Sequence, residues 1–445
     1  MHDPTDLEAR AKHLAALDHA HLWHPFTPQL RWTQAEPLIV ERAEGNELID
    51  VQGRRYLDGV SSLWTNVHGH RHPHLDQAIR TQLDKVAHST MLGLSHPPAI
   101  ELAARLAAIT PDGLERVFFS DNGSTATEIA LKMAYQFQQQ VGQTGRARFA
   151  ALRDAYHGDT LGAVSVGNID LFHEVYRPLL FDAVALPAPV RPGGDEETDC
   201  LEVALNRLDA HAHELAAIIV EPLVQGAAGM KMHSVDYLRP LLQRARDHGI
   251  LVVADEVAVG FGRLGTTFAM EQVGIAPDLL CLAKGLSGGY LPLAATVTTE
   301  RVYEGFLAAP EAYKQFFHGH TFTGNPLACA VALANLDLFD DDLLAHVEEL
   351  TDALATALDT HIAPHPVCAD IRQHGVMVGI DLQSPDGSDA PSQSGHELAM
   401  ATRRHGAITR PLGNTLVLNP PLRLGLDEAD RLVRSVRSAM DELWP

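Results

Sequence analysis

A chain of 445 residues, 46% hydrophobic and 20% charged, has the balance of a globular protein, and its length asks for two domains or one large domain with appended segments. A formal net charge of −23 disfavours a basic surface for nucleic acid or an anionic membrane, and no run approaches the ~18 apolar residues of a membrane span. The 25 histidines fall in no HExxH and in no regular Cys/His spacing, so a zinc site is not expected; four scattered cysteines (Cys200, Cys281, Cys329, Cys368), with no CxxC and no secretory signal, read as a reduced, cytoplasmic protein.

In chain order, the stretch to about Arg55 combines a short helix pattern with P-L-I-V-E-R-A-E-G-N-E-L-I-D-V-Q-G-R-R-Y-L-D-G. That piece predicts short antiparallel strands turning at Gly45-Asn46 and Gln52-Gly53. From His74 onward, helical patterns alternate with apolar strands at 117–120, 149–152, 217–220, 251–254, 279–282 and 294–298. Such alternation predicts βαβ units and a mostly parallel sheet. Residues 187–198, rich in Pro, Gly and acids, are expected to form a surface loop. After Asn325-Pro326 one long Ala/Leu-rich helix is expected to run to about Leu358, followed by strands near 376–381 and 415–419 and a final helix from Asp427. The predicted organisation is a large α/β domain over 66–330 and a smaller α+β domain built from 1–65 and 331–445.

Residues 251–285 carry the strongest chemical signal. L-V-V-A-D and, further on, L-L-C-L-A-K each bring an apolar run to an ionisable residue, Asp255 and Lys284. Apolar runs of this length read as buried parallel strands, and ligands in open α/β sheets bind at the carboxyl ends of such strands. A buried lysine costs several kcal/mol, on the order of 3–5 pKa units of penalty, unless it is paired or used. An acid and a lysine together, each followed by glycines, match what pyridoxal phosphate (PLP) requires: an amine for its aldehyde and a carboxylate for its pyridine nitrogen.

Other motifs fit the same ligand. Gly123-Ser124 follows a strand and opens a helix pattern, where free backbone N–H groups and a hydroxyl face an anion. The same turn also reads as a plain helix cap, from Ser124 to Thr127 or Glu128. Tyr156 follows a strand and could stack on a planar ring, or simply cover the core. Glu221 ends another strand, as a cofactor contact, an arginine partner or an ordinary strand-end acid. The loop H-G-H-T-F-T-G-N-P from His318 offers polar groups, His320 and Thr321 among them, to a phosphate. Arg410 sits in a turn-rich piece and could clamp a carboxylate or remain a solvated surface arginine.

With these residues in view, the chain resembles, over nearly its whole length, the class III (ω-amino acid) aminotransferases of PLP fold type I. Within that class, H-L-W-H-P-F-T from His21, D-G-V-S-S-L-W from Asp58, V-H-G-H from Val67 and T-R-P-L-G from Thr409 are similar to the biotin-pathway members. The resemblance implies Lys284 as the Schiff-base lysine and proton carrier and Asp255 as partner of the pyridine nitrogen. It implies phosphate binding by Gly123 and Ser124, with Thr321 supplied by the neighbouring subunit. Tyr156 would stack on the ring, Gly319 would line the substrate site, and Arg410 would hold the carboxylate of the keto acid. It further implies a homodimer with active sites at the interface, and transamination of 8-amino-7-oxononanoate to 7,8-diaminononanoate with S-adenosylmethionine or L-lysine as donor. Phe26 and the pair Leu63-Trp64 stand where adenosylmethionine-using members carry a tyrosine and two tryptophans, at positions that shape the substrate pocket. Another ω-aminotransferase, of diamine, ornithine or 4-aminobutyrate type, is the alternative enzyme; a non-catalytic PLP-binding protein is the alternative of another class.

Overall fold

The computed structural model describes residues 4–167, 169, 173–189 and 191–445. Seven strands form its central sheet, in the order Leu114–Ser120, Ala294–Thr299, Leu279–Leu282, Leu251–Asp255, Leu215–Val220, Arg148–Leu152, Val184–Leu186. The pairings are parallel except those of Ala294–Thr299, which runs antiparallel to both of its neighbours.

The central strands are apolar throughout because both faces are covered. Along Leu215–Val220, Ala217 and Ile219 pack with Ile129, Ala130 and Phe137 of the helix Gly123–Gln140. The alternate residues Ile218 and Val220 face the other layer, with Leu238, Leu241 and Leu242 of the helix Val235–Asp247. The two-residue period of a strand thus feeds two cores from one segment. Each fully buried aliphatic side chain there contributes roughly 1.5–3 kcal/mol.

Two four-stranded sheets flank this body. Val40–Glu44, Glu47–Asp50 and Arg55–Asp58 form the antiparallel meander expected at the N-terminal end, and Ala407–Ile408 joins it in parallel, which ties the two ends of the chain together. Cys368–His374, Met377–Leu382, Thr415–Leu418 and Arg410–Leu412 form the second sheet. Helices Asp341–His361, Ser394–Arg404 and Leu426–Leu443 bury a separate apolar cluster with these strands.

Two expectations need correction, and one strand was not expected. The long helix after Asn325-Pro326 is two helices, Pro326–Leu336 and Asp341–His361. Asp340 is extended and its carboxylate accepts the Leu343 N–H at 2.8 Å, so a new helix starts there. The first helix packs on Pro73–Leu83 and Pro97–Ile109, the second on Leu426–Leu443. The loop expected at 187–198 already becomes helix at Gly194, where three acids in the first turn complement the helix dipole. The short edge strand Val184–Leu186 is too brief to stand out as an apolar run.

Candidate active site

Strand ends deliver the chemistry. A cavity of about 730 Å³ is walled by the carboxyl ends of the parallel strands and the segments that follow them, and Asp255, Lys284, Gly123, Ser124, Tyr156 and Trp64 all line it. Lys284 leaves the strand Leu279–Leu282 with φ +42°, a left-handed conformation that a non-glycine residue adopts only when its surroundings enforce it. Burial holds its amine well below the ordinary lysine value, at about 8, against the opposing pull of the Asp255 and Glu221 carboxylates. The ammonium lies 4.7 Å from the centre of the Trp64 ring.

Asp255 ends its strand 4% exposed. One carboxylate oxygen lies 2.7 Å from His157 Nδ1 and the other accepts the Val257 N–H at 3.1 Å. His157 is buried, and among the described residues its Nε2 has no hydrogen-bond partner. Glu221, at the end of the Leu215–Val220 strand, accepts the N–H groups of Tyr156 and Gly226 at 3.0 and 3.2 Å. Burial, with Asp255 adding repulsion, pushes its carboxyl up to about 7. The Tyr156 phenol donates to Asp159 at 2.8 Å, its ring stacks with His173 at 6.2 Å, and burial raises its pKa.

The turn before Gly123–Gln140 is an anion cradle. Asn122, not Ser124, caps this helix, with a capping box to Thr125. Ser124 is therefore released toward the cavity, where its hydroxyl accepts the Thr160 N–H at 3.0 Å. Two glycines make the space. A Cβ on Gly158, which has φ +116°, would lie 2.1 Å from Ser124 Oγ, and one on Gly123 would lie 2.5 Å from Val257 Cγ1. A flat heterocycle bearing a basic ring nitrogen, an amine-reactive carbon and a phosphate fits this set of groups: Asp255 on one side, Lys284 on another, and helix N–H groups with Ser124 at the anion end.

Not every expected residue meets in this cavity. Arg410 is half-buried on the strand Arg410–Leu412, near enough for its charge to act on Tyr156 and Lys284, and burial lowers its pKa. Gly319 and Thr321 are exposed on the loop before Pro326–Leu336. His320 reaches the cavity wall through Asp121, at 2.6 Å. Phe26 and Leu63 are 55% and 48% exposed and do not line the cavity within this chain. Residues that sequence reasoning left without a role also stand here. His157 follows Tyr156 in the chain, and nothing local marks its reach to Asp255, 98 positions on. Arg263, fully buried, lay unassigned in G-F-G-R.

Residues 30–440 match the model of the family described as aminotransferase class-III. The chain is 52% identical to the adenosylmethionine-8-amino-7-oxononanoate aminotransferase of Nitratidesulfovibrio vulgaris, over 98% of this chain and 83% of that protein. The enzyme of the same name from Geobacter sulfurreducens is 45% identical, over 95% and 96%. Among solved structures, that of the Methanocaldococcus jannaschii enzyme of this name superposes with a TM-score of 0.92 at 38% identity, covering 97% of this chain and 99% of that one. A PLP-bound amine transaminase from an uncultivated Pseudomonas species superposes with a TM-score of 0.88 at 35% identity, over 95% and 98%. With a family match over most of its length and the geometry of a PLP site at its strand ends, the chain belongs to the class III aminotransferases, enzymes whose cofactor is pyridoxal phosphate.

Proposed function

We propose that this aminotransferase acts on 8-amino-7-oxononanoate, giving 7,8-diaminononanoate in biotin biosynthesis. The observation that carries this reading is the 52% identity, over 98% of the chain, to a relative named for that substrate. The H-L-W-H-P-F-T block from His21, outside the motifs common to the class, supports it over a diamine, ornithine or 4-aminobutyrate enzyme.

Bound PLP would supply the aldehyde that receives an amino group and the electron-poor ring that lets the group pass between two carbons. The chain's own residues divide the work around it. Gly123, Ser124 and the first N–H groups of the helix hold the phosphate, with His320 and the neighbouring subunit's copy of Thr321 completing that end. Tyr156 covers the ring. Asp255, kept in place by His157, holds the proton on the pyridine nitrogen. Lys284 would hold the cofactor at its aldehyde carbon, and its amine is placed to carry the proton that the transfer requires. An amine held at about 8 has an appreciable neutral fraction near neutral pH, which a proton acceptor needs. Arg410 pairs with the distal carboxylate of the keto acid, and Trp64, Phe26, Leu63 and Gly319 shape the space for both substrates.

The names of the relatives support S-adenosylmethionine as the donor. L-lysine is the competing donor, because Phe26 lacks a phenol hydroxyl and Leu63 offers no flat surface for a nucleoside. We further place the enzyme in the cytoplasm as a homodimer. The exposed apolar residues Leu92, Phe317 and Phe322 beside the 318–325 loop support an interface at the point where Thr321 would serve a second site.

The test is an assay of purified protein with 8-amino-7-oxononanoate and each amine in turn. Formation of 7,8-diaminononanoate with either donor, and its loss in Lys284→Ala, is the expected result. Turnover confined to ornithine, 4-aminobutyrate or a diamine would refute the substrate assignment. Faster amino-group uptake from saturating S-adenosylmethionine than from saturating L-lysine would exclude lysine as the main donor.

A further inference from the structure

The cavity wall contains a backbone segment that no L-residue favours. Ser61, Ser62, Leu63 and Trp64 lie at φ +45°, +49°, +73° and +68°, a full left-handed turn without a glycine. Such a turn persists only where its surroundings over-determine it, and strain of this kind collects at functional sites.

Three groups brace it. The buried Asp58 carboxylate accepts the Ser62 N–H at 2.9 Å and the Ser62 hydroxyl at 2.7 Å, and also meets His70 Nε2 at 2.9 Å. The Ser61 hydroxyl donates to the Asn419 carbonyl at 2.8 Å. The third is Arg263, whose guanidinium sits among the segments that meet behind the turn. Its Nη2 donates to Ser61 Oγ at 3.1 Å and to the Asn66 carbonyl at 2.8 Å; its Nη1 donates to Asn419 Oδ1 at 3.0 Å and to the Pro420 carbonyl.

Arg263 is 2% exposed, and among the described residues no carboxylate bonds it directly. Asp58 is the charge that favours its ionised form, and burial pulls its pKa down to about 9. A guanidinium is costly to bury in this way, so its retention calls for a reason beyond packing. The turn it clamps ends in Trp64, which is buried, lines the cavity and holds its ring 4.7 Å from Lys284 Nζ. Gly226 lies against the far edge of that ring, where a Cβ would come within 2.9 Å of Cζ3.

We propose that Arg263 is a positioning residue of the active site: by tying the left-handed Ser61–Trp64 turn to Asn419 and Pro420, it fixes the Trp64 indole against Lys284 and keeps water from the amine. The proposal rests on Lys284 being the reactive amine. Arg263 does not touch the reacting groups itself and acts on position through Trp64, beside the repulsion by which its charge helps to lower the Lys284 value.

A double-mutant cycle tests it. Arg263→Met and Trp64→Leu are made singly and together, and kcat is measured on folded, cofactor-loaded protein. Arg263→Met is expected to lower kcat about tenfold or more, yet to change it by less than about twofold in the Trp64→Leu background. A second readout uses protein freed of cofactor: the pH midpoint at which Lys284 reacts with trinitrobenzenesulfonate, followed on its own peptide by mass. Because burial is the largest cause of the low value, water admitted by a displaced Trp64 should raise that midpoint by about half a unit or more in Trp64→Leu and in Arg263→Lys, which keeps the positive charge that itself lowers the Lys284 value. Should Arg263→Met fail to fold, Ser61→Ala, which deletes only the hydroxyl between Arg263 and Asn419, and Arg263→Lys replace it in the same cycle with smaller losses. Equal kcat losses in both Trp64 backgrounds, or a fall in melting temperature with kcat and the Lys284 midpoint unchanged, would overturn the proposal. Failure of the underlying reading would look different: Lys284→Ala would keep its turnover, while the midpoint in cofactor-free protein would still report on the clamp.

Discussion

Lys284 shows how burial becomes chemistry. Its amine has a folded-state pKa of about 8 against an ordinary 10.5, so between these values the unfolded chain binds more protons than the folded one. The sign follows: the penalty for burying this group is complete below pH 8 and is relieved as pH rises from about 8 to 10.5, so its contribution to stability grows over that window. For cofactor-free protein the total is ~3 kcal/mol. Denaturant unfolding across the window should show this rise in the native protein and its absence in Lys284→Met; parallel curves for the two would contradict it. Arg410 makes a separate claim. Its guanidinium is half-buried beside Tyr156, suited to a ligand carboxylate more than to bulk water. Arg410→Ala should weaken transition-state binding of the keto acid by about 2–4 kcal/mol and spare the donor half-reaction. Single-turnover absorbance separates the two halves, and equal losses in both would remove Arg410 from that role.

At the scale of elements, helix ends explain as much as strand ends. Asn122 takes the capping duty of Gly123–Gln140 and leaves Ser124 free to face the cavity, while Gly158 supplies the space that any Cβ would close. Asp340 performs the opposite task far from the site: its carboxylate starts the helix Asp341–His361, and the chain separates there from the helix that packs on Pro97–Ile109. Asp340→Ala should therefore cost ~1 kcal/mol of stability, since a lost N-cap leaves the Leu343 N–H unpaired. Its side chain also meets Arg423 at 3.2 Å, an exposed pair that adds little. Chemical denaturation should register the change while kcat and KM stay as they are; a variant with unaltered stability would mean that Asp340 does not start this helix.

For the whole molecule, the cavity is lined at the strand ends and by no residue of the 318–325 loop of the same chain, where Gly319 and Thr321 stand exposed. If the neighbouring subunit's Thr321 finishes the phosphate site, cofactor binding and assembly share one free energy. Thr321→Ala should then lower PLP affinity without changing the fold of the subunit, and dilution toward the monomer should release cofactor. Sedimentation with simultaneous cofactor absorbance reads both, and a monomer retaining tightly bound PLP would break the link.

The sequence by itself determined the parallel core and the chemistry at its edge. Strands such as Leu251–Asp255 are apolar on both faces, and a two-residue period with no polar positions admits few environments other than the centre of a covered sheet. An acid and a lysine placed at the ends of two such runs were legible for the same reason, because an ionisable group beside buried backbone must be paired or used. Other features depended on contacts between distant segments and left no local mark. His157 meets Asp255 across 98 positions, and Arg263 meets Asn419 across 156. The break at Asp340 was hidden because Pro326–Leu336 is apolar nearly all round and the amphipathic Asp341–His361 follows it after only four residues, so the two read as one helix. No propensity would place four left-handed residues at Ser61–Trp64, since each is locally unfavourable. Only the folded chain can hold such a turn, because the local hydrogen bonds to Asp58 are joined there by those of Arg263 and Asn419, which reach it only after folding.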